Sequence, residues 1–204
     1  MRIALIATTA LVSLSLAACQ KHDATPSAAD PGTSHSTVNA AQDATSAAVG
    51  AASASTMGQV STDAFVANTP ISDMYEIQAG EIAQKKGQSK GVKDFGKMMV
   101  ADHTALSATM KPLIAATGKT PPTGLDERRK GMIDNLNAAS AADFDKVYLD
   151  QQEAAHNEAL TLMQGYADHG DDAGLKDAAA KAAPKVQAHL DQVKALKAGG
   201  GAAH

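Results

Sequence analysis

From Thr62 onward apolar residues recur at spacings of three and four, the period of an amphipathic helix, and no stretch alternates long enough to form a strand. The pattern predicts an all-α domain over residues 62–198. A first helix is expected over 63–86, closed by Gly87, with Pro70 in the first turn of a restarted segment capped by Thr69. A second should run over 89–118 and kink at Pro112, where the ring removes an interior hydrogen bond. After the Pro121-Pro122 turn a short helix covers about 125–138. Ser140-Ala141-Ala142-Asp143 reads as a capping box with Asp in the usual Glu position, opening a long helix that ends near His169-Gly170. The last helix follows Asp171-Asp172, whose charges suit a helix amino terminus. It should bend or break at Pro184 and fray into Gly199-Gly200-Gly201, leaving 199–204 as a disordered tail. Four long helices and one extra short helix, joined by short loops, predict an up-down-up-down four-helix bundle.

Upstream the pattern changes. Residues 20–61 are mostly Ala, Ser, Thr, Asp, Gly and Pro with scattered Val and Met, too little apolar surface to offset the entropy of ordering. Residues 19–61 are therefore expected to form a disordered tether, spanning on the order of 35 Å as a flexible coil. His22 and His35 within it read as solvated. The chain begins with Arg2 and an apolar run over 3–16, shorter than the roughly 20 residues a permanent membrane helix needs. It closes on Leu16-Ala17-Ala18-Cys19, which resembles the lipobox of bacterial lipoproteins. The resemblance implies removal of residues 1–18 and lipidation of Cys19, with membrane attachment through that lipid. The alternative is an ordinary secretory signal cut after Ala18. That cut would leave the chain's one cysteine as a free thiol with no partner in an oxidising compartment. Gln20 is not the aspartate that commonly retains lipoproteins at the inner membrane, so an exported, periplasmic protein held at the outer membrane is the expectation.

Charge and composition narrow the function classes. Without Arg2 the chain carries 17 basic and 22 acidic residues and no basic cluster, which argues against nucleic acid as a partner. It has no tryptophan, three phenylalanines and three tyrosines, so it offers neither a base-stacking platform nor an aromatic sugar groove. No nucleophile-base-acid arrangement, phosphate loop or cysteine cluster points to a hydrolase, a kinase or a dithiol enzyme.

The apolar stripes bring out the candidate chemistry. They run through Phe65, Glu76, Gly80 and Ala83; through Val92, Met99, His103, Leu106 and Met110; through Tyr148, Gln152, His156, Ala159 and Met163; and through Leu175, Ala182, Val186, His189, Val193 and Leu196. Each stripe holds one potential metal ligand: Glu76, His103, His156 or His189. At 1.5 Å per residue these four fall within one or two helical turns of a common level. Imidazoles and a carboxylate in mid-bundle are what iron, manganese, zinc or copper would need. Asp102, Asp145 and Glu153 are further oxygen candidates. Glu153-x-x-His156 has the spacing of a ferritin-type ligand pair but lacks a second copy, so a single ion with mixed histidine and carboxylate ligation is expected before a di-iron centre. The alternative is a structural layer of neutral histidines giving their N–H groups to acceptors such as Glu76 or Asp102. Met99, Met110 and Met163 read as core filling, His169 as a complement to its helix dipole, and Tyr148 as packing.

The chain carries Phe65-Val66, Glu76-Ile77 with Ile82-Ala83, Phe95 through His103, Phe144-Asp145-x-x-Tyr148, His156, and Pro184 with His189. On these motifs residues 65–196 resemble the bacterial domain-of-unknown-function family 4142, ferritin-like proteins described as predicted periplasmic or outer-membrane. The resemblance implies the bundle fold and the envelope compartment, and its polar positions coincide with Glu76, Asp102, His103, Asp145, His156 and His189. Its departures are Pro70 and Pro112. The expected function is an envelope-anchored, non-catalytic binding or stress-related module, its core polar residues being either a structural layer or a site for one transition-metal ion (Fe, Mn, Zn or Cu). The alternatives are a metal-dependent oxidoreductase acting on a metal ion, peroxide or superoxide, and a purely structural protein that docks another envelope component.

Overall fold

The structure is a computed structural model that describes residues 36–56 and 61–200, and it is all-helical among them. Six α-helices follow in order: α1 Ser36–Thr56, α2 Thr62–Lys86, α3 Lys90–Ala116, α4 Glu127–Ala138, α5 Ala141–His169 and α6 Ala173–Ala195, with a terminal π-turn at Leu196–Gly200. The expected signal peptide and Cys19 lie outside the described residues. None of the described helices is long and apolar enough to cross a membrane.

The punctuation follows side-chain capping. Ser61, Ser89, Asp126, Ser140 and Asp172 each accept a hydrogen bond from the backbone N–H three residues on, satisfying a donor with no partner inside the helix. The Ser140 hydroxyl also donates to Asp143 Oδ2 at 2.7 Å, so the expected capping box forms with aspartate. At the other end of α4, Lys86 Nζ donates to the carbonyls of Leu136, Asn137 and Ala139 at 2.7–3.0 Å, tying the end of α2 to the last turn of α4.

Helix α2 starts at Thr62 and runs through Pro70 rather than restarting near Thr69; Pro112 and Pro184 likewise lie inside α3 and α6, neither of which is interrupted there. A proline costs about 3 kcal/mol inside a helix. The buried residues on both sides of each ring, such as Val66 and Tyr75 in α2, restore more than that.

The expected tether is also partly helical. Residues 36–56 form α1, which packs on α5 and α4. Its composition is that of a linker, but its docking is polar and close. Asn135 Nδ2 donates to Asn39 O and to Asp43 Oδ1, Gln151 Nε2 donates to Asp43 Oδ2, and Arg128 donates to Ser46 O. Gly50 lies so near its neighbours that an added Cβ would come within 2.0 Å of Glu158 Oε2. Glu158 is itself held by Arg128 and Arg129.

In the rest of the chain α2 lies along α3 and α5 along α6, with further contacts from α2 to α5 and from α3 to α6. The interior divides in two. One apolar cluster gathers Phe65, Met110, Ile114, Met163, Tyr166 and Leu175, and the other Tyr75, Val92, Phe95, Met99, Phe144 and Tyr148. Met99, Met110 and Met163 are core residues, as their spacing implies. Between the clusters, at the corresponding height of α2, α3, α5 and α6, lies a buried polar layer of Asp73, Glu76, His103, Gln152, His156 and His189.

Candidate metal centre

The rotation of each helix brings one histidine from α3, α5 and α6 into this layer. His103, His156 and His189 are all buried, and each offers one ring nitrogen within 4.8 Å of the other two. The ring centroids are 5.4–6.0 Å apart.

One nitrogen of each ring is engaged. His103 Nδ1 lies 2.8 Å from Asp73 Oδ1, His156 Nδ1 lies 2.9 Å from the carbonyl oxygen of Gln152, and His189 Nε2 lies 2.8 Å from Asp102 Oδ2. A carbonyl or carboxylate only accepts, so each of these nitrogens carries the proton and donates. In the neutral rings the lone pairs therefore belong to His103 Nε2, His156 Nε2 and His189 Nδ1. Those three buried atoms have no hydrogen-bond partner.

Electrostatics separates the three rings. Burial, reinforced by the nearby charge of His103, holds His156 down to about 3. Burial likewise holds His189 down to about 4, against the opposing hydrogen bond to Asp102. His103 moves the other way. Burial disfavours its charge, but the hydrogen bond to Asp73 and the charges of Glu76, Asp73 and Asp102 outweigh it and raise the pKa. At neutral pH two rings are fixed as neutral donors, and the third keeps the higher proton affinity.

The carboxylates stand behind the histidines rather than among their free nitrogens. Glu76 is buried and accepts from Gln152 Nε2 at 2.7 Å. It faces His156 on the Nδ1 side at 3.8 Å, too long for a hydrogen bond. Burial raises its pKa against the opposing influence of His103 and Gln152. Asp102 bridges His189 and Lys185, and although burial alone would raise its pKa these contacts lower it. No carboxylate among the described residues joins the three histidines within the shared 4.8 Å.

Two expected ligands are placed elsewhere. Asp145 accepts from the backbone N–H groups of Gln88 and Ser89 at 2.8 Å, closing the α2–α3 turn. Glu153 pairs with Lys197 away from the polar layer. The structure thus brings three imidazoles together, backed by Asp73, Asp102 and a backbone carbonyl. Asp73 was missed by the spacing argument. It lies three residues before Glu76 on α2, a spacing compatible with the same face, and its second oxygen accepts from Ser107 at 2.9 Å. Tyr148 packs against Phe95 and Phe144, and its buried hydroxyl has no partner.

Fold and site together define an all-helical protein whose two apolar clusters enclose a buried histidine layer. The family described as Domain of unknown function (DUF4142) matches residues 44–196, and the chain belongs to it. Neither a curated protein nor a solved structure matches the chain. The family match begins within α1 and so includes its second half in the domain.

Proposed function

We propose that this chain is an envelope lipoprotein whose ferritin-like four-helix bundle, formed by α2, α3, α5 and α6, holds one divalent transition metal ion. The ligands are His103 Nε2, His156 Nε2 and His189 Nδ1. The supporting observations are that three buried imidazoles each bring one nitrogen within 4.8 Å of the other two, and that each ring has one buried nitrogen without a partner while its opposite nitrogen is anchored. An anchored second nitrogen is the usual support for a metal-bound imidazole, since it fixes ring orientation and tautomer. Tetrahedral ligands at zinc–nitrogen distances sit about 3.3 Å apart, so the widest pair has to close by at most roughly 1.5 Å. Imidazole ligation favours zinc or copper, and also suits iron, whereas manganese prefers oxygen. Asp73, Asp102 and Glu76 supply negative charge around the cation.

Export and anchoring rest on Leu16-Ala17-Ala18-Cys19, with Gln20 favouring the outer membrane. Mature protein bearing lipid mass on Cys19, and released from membranes by Cys19→Ser, is the expected result. A mature chain without lipid would reject the anchor.

The metal is tested by elemental analysis of the full chain purified without a tag or chelator, beside His103→Ala and His189→Ala. One ion per chain in the unaltered protein, and far less in folded variants, is expected. Folded wild-type protein that takes up no zinc, copper or iron when these are supplied would leave only a structural polar layer. A catalytic second reading, with metal-ion, peroxide or superoxide chemistry, is favoured by a ligand number that leaves a coordination position open.

A further inference from the structure

The polar layer is joined to α1 through a clamp between α2 and α5. Two successive residues of α2 bond two successive residues of α5: Tyr75 Oη donates to Gln151 Oε1 at 2.8 Å, and Gln152 Nε2 donates to Glu76 Oε2 at 2.7 Å. All four side chains are almost wholly buried. Gln152 also touches a proposed ligand, because its carbonyl oxygen accepts from His156 Nδ1. The clamp therefore sets where α2, which carries Asp73, stands against α5, which carries His156.

Helix α1 holds the outer half of this clamp. A glutamine amide can face either way, and what its two ends meet decides which. Gln151 Nε2 donates to Asp43 Oδ2 at 2.6 Å and to Met132 O at 3.1 Å, which leaves Oε1 turned to Tyr75. An ionised carboxylate only accepts, so Asp43 allows this orientation and not its reverse. Its other oxygen accepts from Asn135 Nδ2, which also donates to Asn39 O. Departure of α1 takes away one of the two acceptors of Gln151 Nε2 and both acceptors of Asn135 Nδ2. Water in their place would donate as readily as accept, so it would not fix the amide.

We propose that α1 is a strap that regulates the metal centre. Docked, it holds the clamp that positions the imidazoles; released, it lowers the centre's affinity for its ion. The proposal rests on the metal reading above.

The test compares hydrogen exchange of the purified full chain with and without saturating zinc. Linkage is reciprocal, so an ion held more tightly when α1 is docked must in turn hold α1 down by the same factor. Zinc should slow exchange over residues 36–56 by at least about fivefold, the lower end of typical couplings. Tyr75→Phe keeps α1 and its acceptors but cuts the clamp, and there zinc should leave exchange over 36–56 nearly unchanged. From the other side, Ala54 is a buried α1 residue in the apolar cluster of Phe65 and Val66. Ala54→Arg should free α1 without touching the clamp, and its zinc affinity, measured by chelator competition, should fall by the same factor. Zinc bound by the wild-type chain with exchange over 36–56 unchanged overturns the strap and leaves the metal reading standing. So does equal slowing in wild type and Tyr75→Phe, or unchanged zinc affinity in an Ala54→Arg chain whose α1 exchanges freely. A chain that takes up no zinc overturns the metal reading and this proposal with it.

Discussion

Asp73 Oδ1 lies 2.8 Å from His103 Nδ1 with both side chains almost wholly buried, so a carboxylate on α2 determines which nitrogen of an α3 histidine remains free. Asp73→Ala removes that acceptor and also the partner of Ser107. Loss of such a support typically weakens metal affinity by about 10–100-fold, and the unpaired buried Nδ1 costs roughly 1–3 kcal/mol of stability. Chelator competition and denaturant unfolding measure the two separately. Lowered stability with unchanged metal affinity would show that Asp73 packs but does not orient.

Metal removal should be visible in stability as well. An ion that binds only the folded chain stabilises it by about 2.7 kcal/mol at a hundredfold excess over its dissociation constant. Zinc is therefore expected to raise the midpoint of thermal unfolding, chelator to reverse the rise, and His189→Ala to abolish it. The same increment in wild type and His189→Ala would place zinc binding elsewhere on the chain.

Much of this arrangement was legible in the sequence, for identifiable reasons. Helix starts were marked by Ser89 and Ser140, and stripe spacing put one histidine on each of α3, α5 and α6 at a shared level. Rotation about each axis was harder to read. Glu153 stands three residues before His156 and ends beside Lys197, whereas Asp73, three residues before Glu76, is buried with it: a step of three falls some 60° short of a full turn, so it keeps or leaves the buried face according to where on that face the second residue sits. Asp145 had a suitable ligand type but serves the α2–α3 turn. Helix α1 was hidden because alanine and serine mark a tether and a closely packed helix alike. What distinguishes them here is the pairing of Asp43 with Asn135 and Gln151, 92 and 108 residues away.

The level of the polar layer depends on a backbone contact between α2 and α3. A Cβ on Gly80 would lie 2.6 Å from Gly96 O and 3.0 Å from Val100 Cγ2. The nearest obstacle is main chain and cannot rotate aside. Gly80→Ala must separate the two helices that carry Asp73 and His103, so overpacking should cost about 1–3 kcal/mol despite alanine's better helix propensity. Thermal unfolding of this variant beside an exposed-site control such as Lys97→Ala checks the point. A Gly80→Ala protein as stable as wild type would mean the helices are free to shift.

Asp43 makes the docking of α1 sensitive to pH. Burial raises its pKa to about 6, against the hydrogen bonds from Gln151 and Asn135 and with some help from the charge of Asp150. In the unfolded chain it titrates near 3.8. A folded pKa above the unfolded one means that the folded chain binds the proton more tightly, so this contribution is complete below 3.8 and is lost as pH rises through about 6. The linkage is on the order of 1–2 kcal/mol once the residue's partial exposure is discounted. Hydrogen exchange, corrected for its intrinsic pH dependence, should show residues 36–56 about tenfold or more less protected at pH 7.5 than at pH 5. Amides of α3 and α5 should keep their protection over the same range. In Asp43→Asn the pH dependence over 36–56 should disappear, whatever the absolute protection of that variant. Equal protection of α1 at both pH values in the wild-type chain would show that the Asp43 carboxylate does not govern how this helix is held.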